Sequence, residues 1–301
     1  MTTYRIEPSW QQEDVINNIV ADDPLAVIYN EGQWRISRVS PLYKLEYKAV
    51  KLKQYGTKVR QAIVSSVTTN TPTKYTVKFE SQPNLVYNEE DAPGLLITIS
   101  STQENTKKTK LAYTAALLSW GVFTVLDNAV HLPYMLERGE QKLGVAVKDT
   151  LQTLFDCQVK QYQFTQNQLL HIGLKFLEND TSVNRDPFVF VYKTPQVDLK
   201  DKLTIALDIG DMKIIWNGVQ QEVGNKSELV NLAYQILQNQ IFCMISLDIS
   251  VLQLCELILP KAEVKSSGII KMKTPENVNC LFTTLNEVDD ANSSKVSDVS
   301  H

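Results

Sequence analysis

What most narrows the folds open to this chain is the arrangement of its strand-like segments. They come in runs, joined by polar connections where a parallel sheet would need crossover helices. Residues 34–40, Trp-Arg-Ile-Ser-Arg-Val-Ser, alternate apolar and polar side chains at a period of two and read as a strand. Three more strands are expected at 74–80, 94–100 and 110–121, separated by stretches rich in Thr, Ser, Asn and Pro. That is the pattern of an antiparallel meander. Further strands are expected at 157–164, 188–193, 203–208, 245–251 and 268–273. The phase of the alternation slips at Val251-Leu252, which suggests a bulge.

Helical spacing appears between the runs. Ala49, Leu52, Tyr55, Val59 and Ile63 share one face of a helix expected over 46–65. Gly56 sits inside it at a cost of about 1 kcal/mol relative to Ala. A second helix is expected over 140–156. A third, over 165–178, opens with Thr165 and Gln168 in the spacing of a capping box, with Phe164 and Leu169 placed as a hydrophobic staple. A short helix at 211–220 carries Trp216. A longer one begins at Ser227, with Val230, Ala233, Leu237 and Ile241 as its stripe. The last helix is capped by Thr274, with Pro275 at its first position.

Strands in runs with helices between them predict an α+β protein: two lobes of largely antiparallel sheet with flanking helices. The expected division is an acidic mobile arm at 1–31, an N-terminal lobe at 32–160, a C-terminal lobe at 161–287 and a disordered tail at 288–301. At 301 residues and 43% apolar composition, the chain can bury its core without disulfides or structural metal. The four cysteines, Cys157, Cys243, Cys255 and Cys280, are widely spaced and read as reduced thiols. The N-terminus has neither the basic nor the apolar region of a signal peptide. The uncharged run 111–126 falls short of the roughly 20 residues that span a bilayer, so no membrane association is expected.

Signatures of catalysis are missing. There is no Gly-x-Gly-x-x-Gly, no phosphate-binding loop of the Walker type, no His-Glu-x-x-His and no Gly-x-Ser-x-Gly. His131 and His171 stand without an evident partner, and the pairs Asp22-Asp23 and Asp289-Asp290 fall in expected mobile segments. The chain is therefore read as having no catalytic residue, no metal site and no cofactor.

The charge distribution is more informative than the net value of −4. Residues 1–31 hold one base and six acids, whereas residues 34–82 hold ten bases and two acids. Arg35, Arg38, Lys44, Lys48, Lys51, Lys53, Lys58 and Arg60 are the candidate DNA contacts in this segment, with Tyr43, Tyr47 and Tyr55 among them. Positioned cations suffice for phosphate contact. A solvated helix face, with lysines flanking a core stripe, fits the same residues equally well. At the other end of the chain, Ile245, Leu247, Ile249 and Val251 on one expected strand, with Ile269 and Ile270 on another, are the candidate partner interface. A sheet edge left open there invites a second chain.

Several short segments resemble one family. Trp34-Arg-Ile-Ser-Arg-Val-Ser-Pro-Leu-Tyr-Lys-Leu-Glu-Tyr47 is similar to a segment of the centromere protein L family with a Trp, a Val-Ser/Thr-Pro-Leu-Tyr-Lys run and a Tyr. Leu132-Pro-Tyr-Met-Leu-Glu-Arg-Gly139, Thr153-Leu-Phe-Asp-Cys157, Asp211 with Trp216, and Gly268-Ile-Ile-Lys-Met-Lys273 resemble later segments of that family, in its order. The stretch 64–110 has no clear counterpart. The resemblance implies a non-enzymatic subunit of the inner kinetochore, located in the nucleus at the centromere within the constitutive centromere-associated network. It implies a heterodimer with centromere protein N through a shared sheet interface, and contacts with centromere protein C and other inner-kinetochore subunits. It also implies help in recognising nucleosomes carrying the centromeric H3 variant, and DNA contact along a basic passage. The alternative is a sheet-edge interaction module or homodimeric adaptor outside the centromere.

If the acidic arm competes with DNA for the basic segment, deleting residues 1–31 should tighten DNA binding at low salt. Unchanged affinity in a binding titration counts against that competition.

Overall fold

The computed structural model describes residues 23–30, 32–67, 73–103, 108–121, 126–179, 186–194, 202–222 and 226–297. Residues 1–22 of the expected arm, most of the expected loop at 179–186 and residues 298–301 of the expected tail lie outside them. The protein is α+β, with helices packed on mostly antiparallel sheet. The chain divides into two compact units, Met1–Gln161 and Tyr162–His301.

Unit 1 begins with a short helix α1 (Ala26–Tyr29), then β1 (Gln33–Val39), β2 (Leu42–Tyr43) and helix α2 (Ala49–Ser66). The meander β3 (Thr73–Gln82), β4 (Gly94–Gln103) and β5 (Thr109–Leu118) follows. Next come β6 (Ala129–Val130), β7 (Tyr134–Gly139), helix α3 (Gln141–Phe155) and β8 (Val159–Gln161). All pairs are antiparallel: β3 with β4, β4 with β5, β5 with β7, and β7 with β1, which also pairs β8. β2 and β6 form a separate two-stranded ribbon. The meander expected from the sequence is present.

β7 was hidden from periodicity because four of its residues, Tyr134–Glu137, are buried and face both sides of the sheet. A strand covered on both faces does not alternate. The last residues of the expected mobile arm are also folded. Ala26, Val27 and Ile28 are buried, and the Trp34 indole donates to the Ile28 carbonyl at 2.8 Å.

α2 and α3 pack on one face of this sheet. Leu52, Tyr55, Val59 and Ile63 of α2 meet Tyr75 and Phe79 of β3 in a core that Leu143, Val147 and Phe155 of α3 complete. Gly56 has a packing reason: a Cβ there would stand 2.9 Å from the carbonyl oxygen of Val77. The glycine lets the helix backbone approach the strand. Beside α3, Glu137 of β7 is only 3% exposed. Its carboxylate accepts from Lys148 Nζ at 2.8 Å and Tyr113 Oη at 2.8 Å, and pairs with Arg35 Nε at 3.4 Å. A side chain at Gly144 would come within 2.8 Å of the same carboxylate.

Unit 2 contains helix α4 (Gln166–Asn179), β9 (Phe188–Lys193), β10 (Lys202–Leu207), helices α5 (Ile209–Glu222) and α6 (Lys226–Ile245), β11 (Gln253–Leu259), β12 (Ala262–Lys265), β13 (Ile269–Met272) and helix α7 (Pro275–Ser297). Its strands run β10-β9-β11-β12-β13, all neighbours antiparallel. The expected capping box is formed. Gln168 N donates to Thr165 Oγ1 at 3.2 Å, and Thr165 N donates to Gln168 Oε1 at 3.0 Å.

Two expectations fail here. The strand expected at 245–251 does not form. α6 runs on to Ile245, Ser246 turns the chain at φ +52°, and Asp248 accepts from the Ser250 N–H in a tight turn. Apart from Ile245, the last residue of α6, the alternating residues lie in an irregular loop. The strand comes later, as β11, whose interior residues Leu254–Leu257 are buried without alternation. The expected tail is also partly wrong, since α7 continues to Ser297. After Pro275 no Gly or Pro interrupts it through Ser297.

Two substitutions test this packing. Gly56→Ala, normally helix-stabilising, should lower stability by about 1–3 kcal/mol, because strand or helix must shift to admit the methyl. Glu137→Ala should cost about 2–3 kcal/mol, at the low end for a buried pair because Arg35 and Lys148 keep partial solvent contact. Urea unfolding midpoints measure both.

Candidate functional site

The ten bases of the sequence segment 34–82 do not form one surface. Arg35 lies in β1 and is held by Glu137 and, at 3.5 Å, by the Gly139 carbonyl. Arg38, three residues along β1, stacks over the Tyr134 ring at 5.2 Å. Both are structural in unit 1. Lys48 and Lys51 share the Glu46 carboxylate at 3.1 and 2.9 Å. The hydrogen bond to Lys51, and then that to Lys48, lowers the pKa of Glu46, while its own bond to Glu46 raises that of Lys51. Charge at the start of α2 is therefore largely compensated.

Lys44, Lys53, Lys58 and Arg60 remain. All four are exposed, and none makes an ion pair or side-chain hydrogen bond among the described residues. Lys53 and Arg60 share one flank of α2, with Lys58 on the other, as helical spacing predicts. Lys58 stands on the rim of an open groove of about 410 Å³ between α2 and α3, across from Asp149. The tyrosines do not interleave with these cations. Tyr55 is buried and its hydroxyl receives the Glu46 N–H at 3.2 Å, while Tyr47 donates to the Pro93 carbonyl at 2.7 Å. Only Tyr43 is exposed.

The candidate interface residues also separate. Ile249 and Ile270 are fully buried, Leu247 and Ile269 are half-buried, and Ile245 and Val251 are exposed. Ile249 is an anchor for the loop after α6, and Ile270 belongs to the core through β13. What sequence reasoning missed is that the exposed two have company. Phe242 and Met244 precede them, and Met244 and Val251 are 64% and 69% exposed. The signal was available: residues 229–247 contain no charged side chain. The solvent face of α6 carries Asn231, Gln235, Asn239 and Gln240, and then this apolar end. Depletion of charge around exposed Phe and Met is characteristic of the core of a protein–protein interface.

Burial, and then the nearby Arg38, depress the pKa of His131. Burial also depresses that of His171, against an opposing effect of Glu287. Among the described residues no group of three or more His, Cys, Asp or Glu side chains could hold a metal ion, and no helix is long and apolar enough to cross a membrane. Cys157, Cys255 and Cys280 are buried thiols outside any disulfide, and burial pushes Cys157 up to about 11.

No curated protein matches this chain significantly. The family model described as centromere protein L matches residues 28–300. That range takes in both units, from the strand carrying Trp34 to the end of α7. The chain belongs to the centromere protein L family, whose members are structural subunits of the centromere and kinetochore in the nucleus rather than enzymes.

Proposed function

We propose that this protein is a non-enzymatic scaffold of the inner kinetochore that works as a heterodimer with centromere protein N and lies against DNA. The observation that carries the pairing is the exposed face of α6 from Asn231 on, which carries no charge and ends in Phe242, Met244 and Ile245, with Val251 exposed in the loop that follows. Covering such a set removes apolar surface from water at roughly 25 cal/mol per Å². β10, at the end of the unit 2 strand order, offers a second means of attachment by strand addition. The sheet-mediated pairing first assigned to 245–251 moves to these two places.

DNA contact falls to the uncompensated cations of α2, Lys53, Lys58 and Arg60, with Lys44 nearby in sequence. Contacts of this kind are electrostatic and indifferent to base sequence. Recognition of the centromeric H3-variant nucleosome, and contact with centromere protein C and neighbouring subunits, belong to the pair.

Co-expression with centromere protein N of the same organism, followed by size-exclusion chromatography with light scattering, tests the pairing. A one-to-one complex is expected, and Met244→Asp with Ile245→Asp should abolish it while leaving the circular dichroism spectrum unchanged. A homodimer, or a complex indifferent to both substitutions, would remove α6 as the interface. For DNA, reversal of Lys53, Lys58 and Arg60 to Glu should flatten the salt dependence of binding. An unchanged slope makes α2 a solvated face only.

A further inference from the structure

The face of the unit 1 sheet opposite α2 and α3 carries a row of polar residues across its strands. Tyr75 and Phe79 point into the helix-covered core, so Lys74 and Lys78 project from the other side of β3. The strand register places Lys78, Thr98, Thr114 and Arg138 in one row across β3, β4, β5 and β7. Four residues along, Lys74 is opposite Thr102, whose hydroxyl lies 2.9 Å from that of Thr109. No carboxylate stands in these rows or in the one between them.

At one end of the first row the surface is concave. Arg138, Thr114, Gln33 and Leu111 border an open hollow of about 400 Å³ beside Gly139. The Arg138 guanidinium is seated over the Trp34 ring, 5.2 Å from its centroid. Thr114 is only 4% exposed, and its hydroxyl has no hydrogen-bond partner among the described residues. A valine would fill that strand position without an orphaned polar atom. A buried hydroxyl beside a fixed cation, with no acid on the walls, suits an oxyanion that accepts from both.

We propose that this outer sheet face is a second nucleic-acid surface, a track for backbone phosphates in which Arg138 and Thr114 seat one phosphate and Lys74 and Lys78 meet others. It deepens the reading of the protein as a DNA-contacting subunit and rests on it. Spacing favours a polyanion over a single phosphorylated side chain. Lys74 and Lys78 are about 13 Å apart along β3, and Lys78 and Arg138 are about 14 Å apart across the strands. No single phosphate reaches all three. Lys, Arg and Thr side chains are the usual phosphate contacts of nucleic-acid-binding proteins.

The test is fluorescence anisotropy of a labelled random-sequence duplex against the full chain and three variants: Lys74→Gln with Lys78→Gln, Thr114→Val, and Lys53→Gln with Arg60→Gln. The double lysine variant on the sheet should lose about tenfold in affinity at about 50 mM salt and lower the salt slope by about 1.8, two phosphate contacts' worth. Titration of inorganic phosphate should shift the Thr114 amide resonance saturably in the wild type and not in Thr114→Val, whose shape and strand propensity keep the fold intact. The proposal is overturned if the sheet variants keep full affinity and slope while the α2 variant loses both. DNA would then lie on α2 alone, and the proposed scaffold function would stand. It is also overturned if phosphate leaves Thr114 unmoved, the hydroxyl then being met by water. A wild-type chain that binds no duplex but does bind a phosphoserine peptide through Arg138 would overturn both nucleic-acid readings and assign the hollow to a peptide.

Discussion

One buried carboxylate organises unit 1. Glu137 lies on a central strand with almost no solvent access, and its charge is tolerable only because Lys148, Arg35 and Tyr113 converge on it. Those partners come from α3, β1 and β5, so three elements far apart in sequence are registered against β7 by a single group. Burial first, and then Glu137 itself, raises the Tyr113 phenol well above its ordinary pKa, which keeps the hydroxyl a donor. Unit 2 repeats the device with a nearly buried Glu256 on β11, paired with Lys202 of β10 and Lys265 of β12. In each unit a carboxylate inside the sheet ties its strand to others: Glu137 to the adjacent β1 and β5, Glu256 to the adjacent β12 and, across β9, to β10.

The same arrangement explains why charge read along the chain misleads about charge on the surface. Arg35 and Arg38 head the basic run along the chain, yet one completes the Glu137 cluster and the other lies on an aromatic ring. Lys48 and Lys51 are answered by Glu46, two and five residues away. The exposed cations of α2, Lys53, Lys58 and Arg60, are the ones that make no ion pair among the described residues. No count along the sequence reveals which those are.

Local patterns were legible where one face of an element meets water. The alternation of β1, the helical stripe of α2 and the capping box of α4 could all be read directly, because each is written in a few adjacent residues. β7 and β11 were illegible for the opposite reason: buried on both faces, they lose the period that marks a strand. The residues 245–251 show the converse error. Their alternation is genuine, but Ile249 is buried and Ile245 and Val251 are exposed, because a helix end and a turn divide them. Of the six residues expected at a partner interface, Ile245 and Val251 are thus the exposed ones, and neither lies on a strand. Gly56 shows a third limit: its cost is visible in sequence, while its purpose depends on a carbonyl twenty-one residues away.

Of the four cysteines, Cys243 alone is exposed, and it lies between Phe242 and Met244. The other three are shielded by packing, and burial raises the pKa of Cys157 and Cys255 and so suppresses their thiolates. A maleimide dye added to the native chain would therefore attach at one sulfur without any engineered cysteine. The fluorophore would stand within the apolar end of α6, where its emission registers whether water or another surface surrounds it.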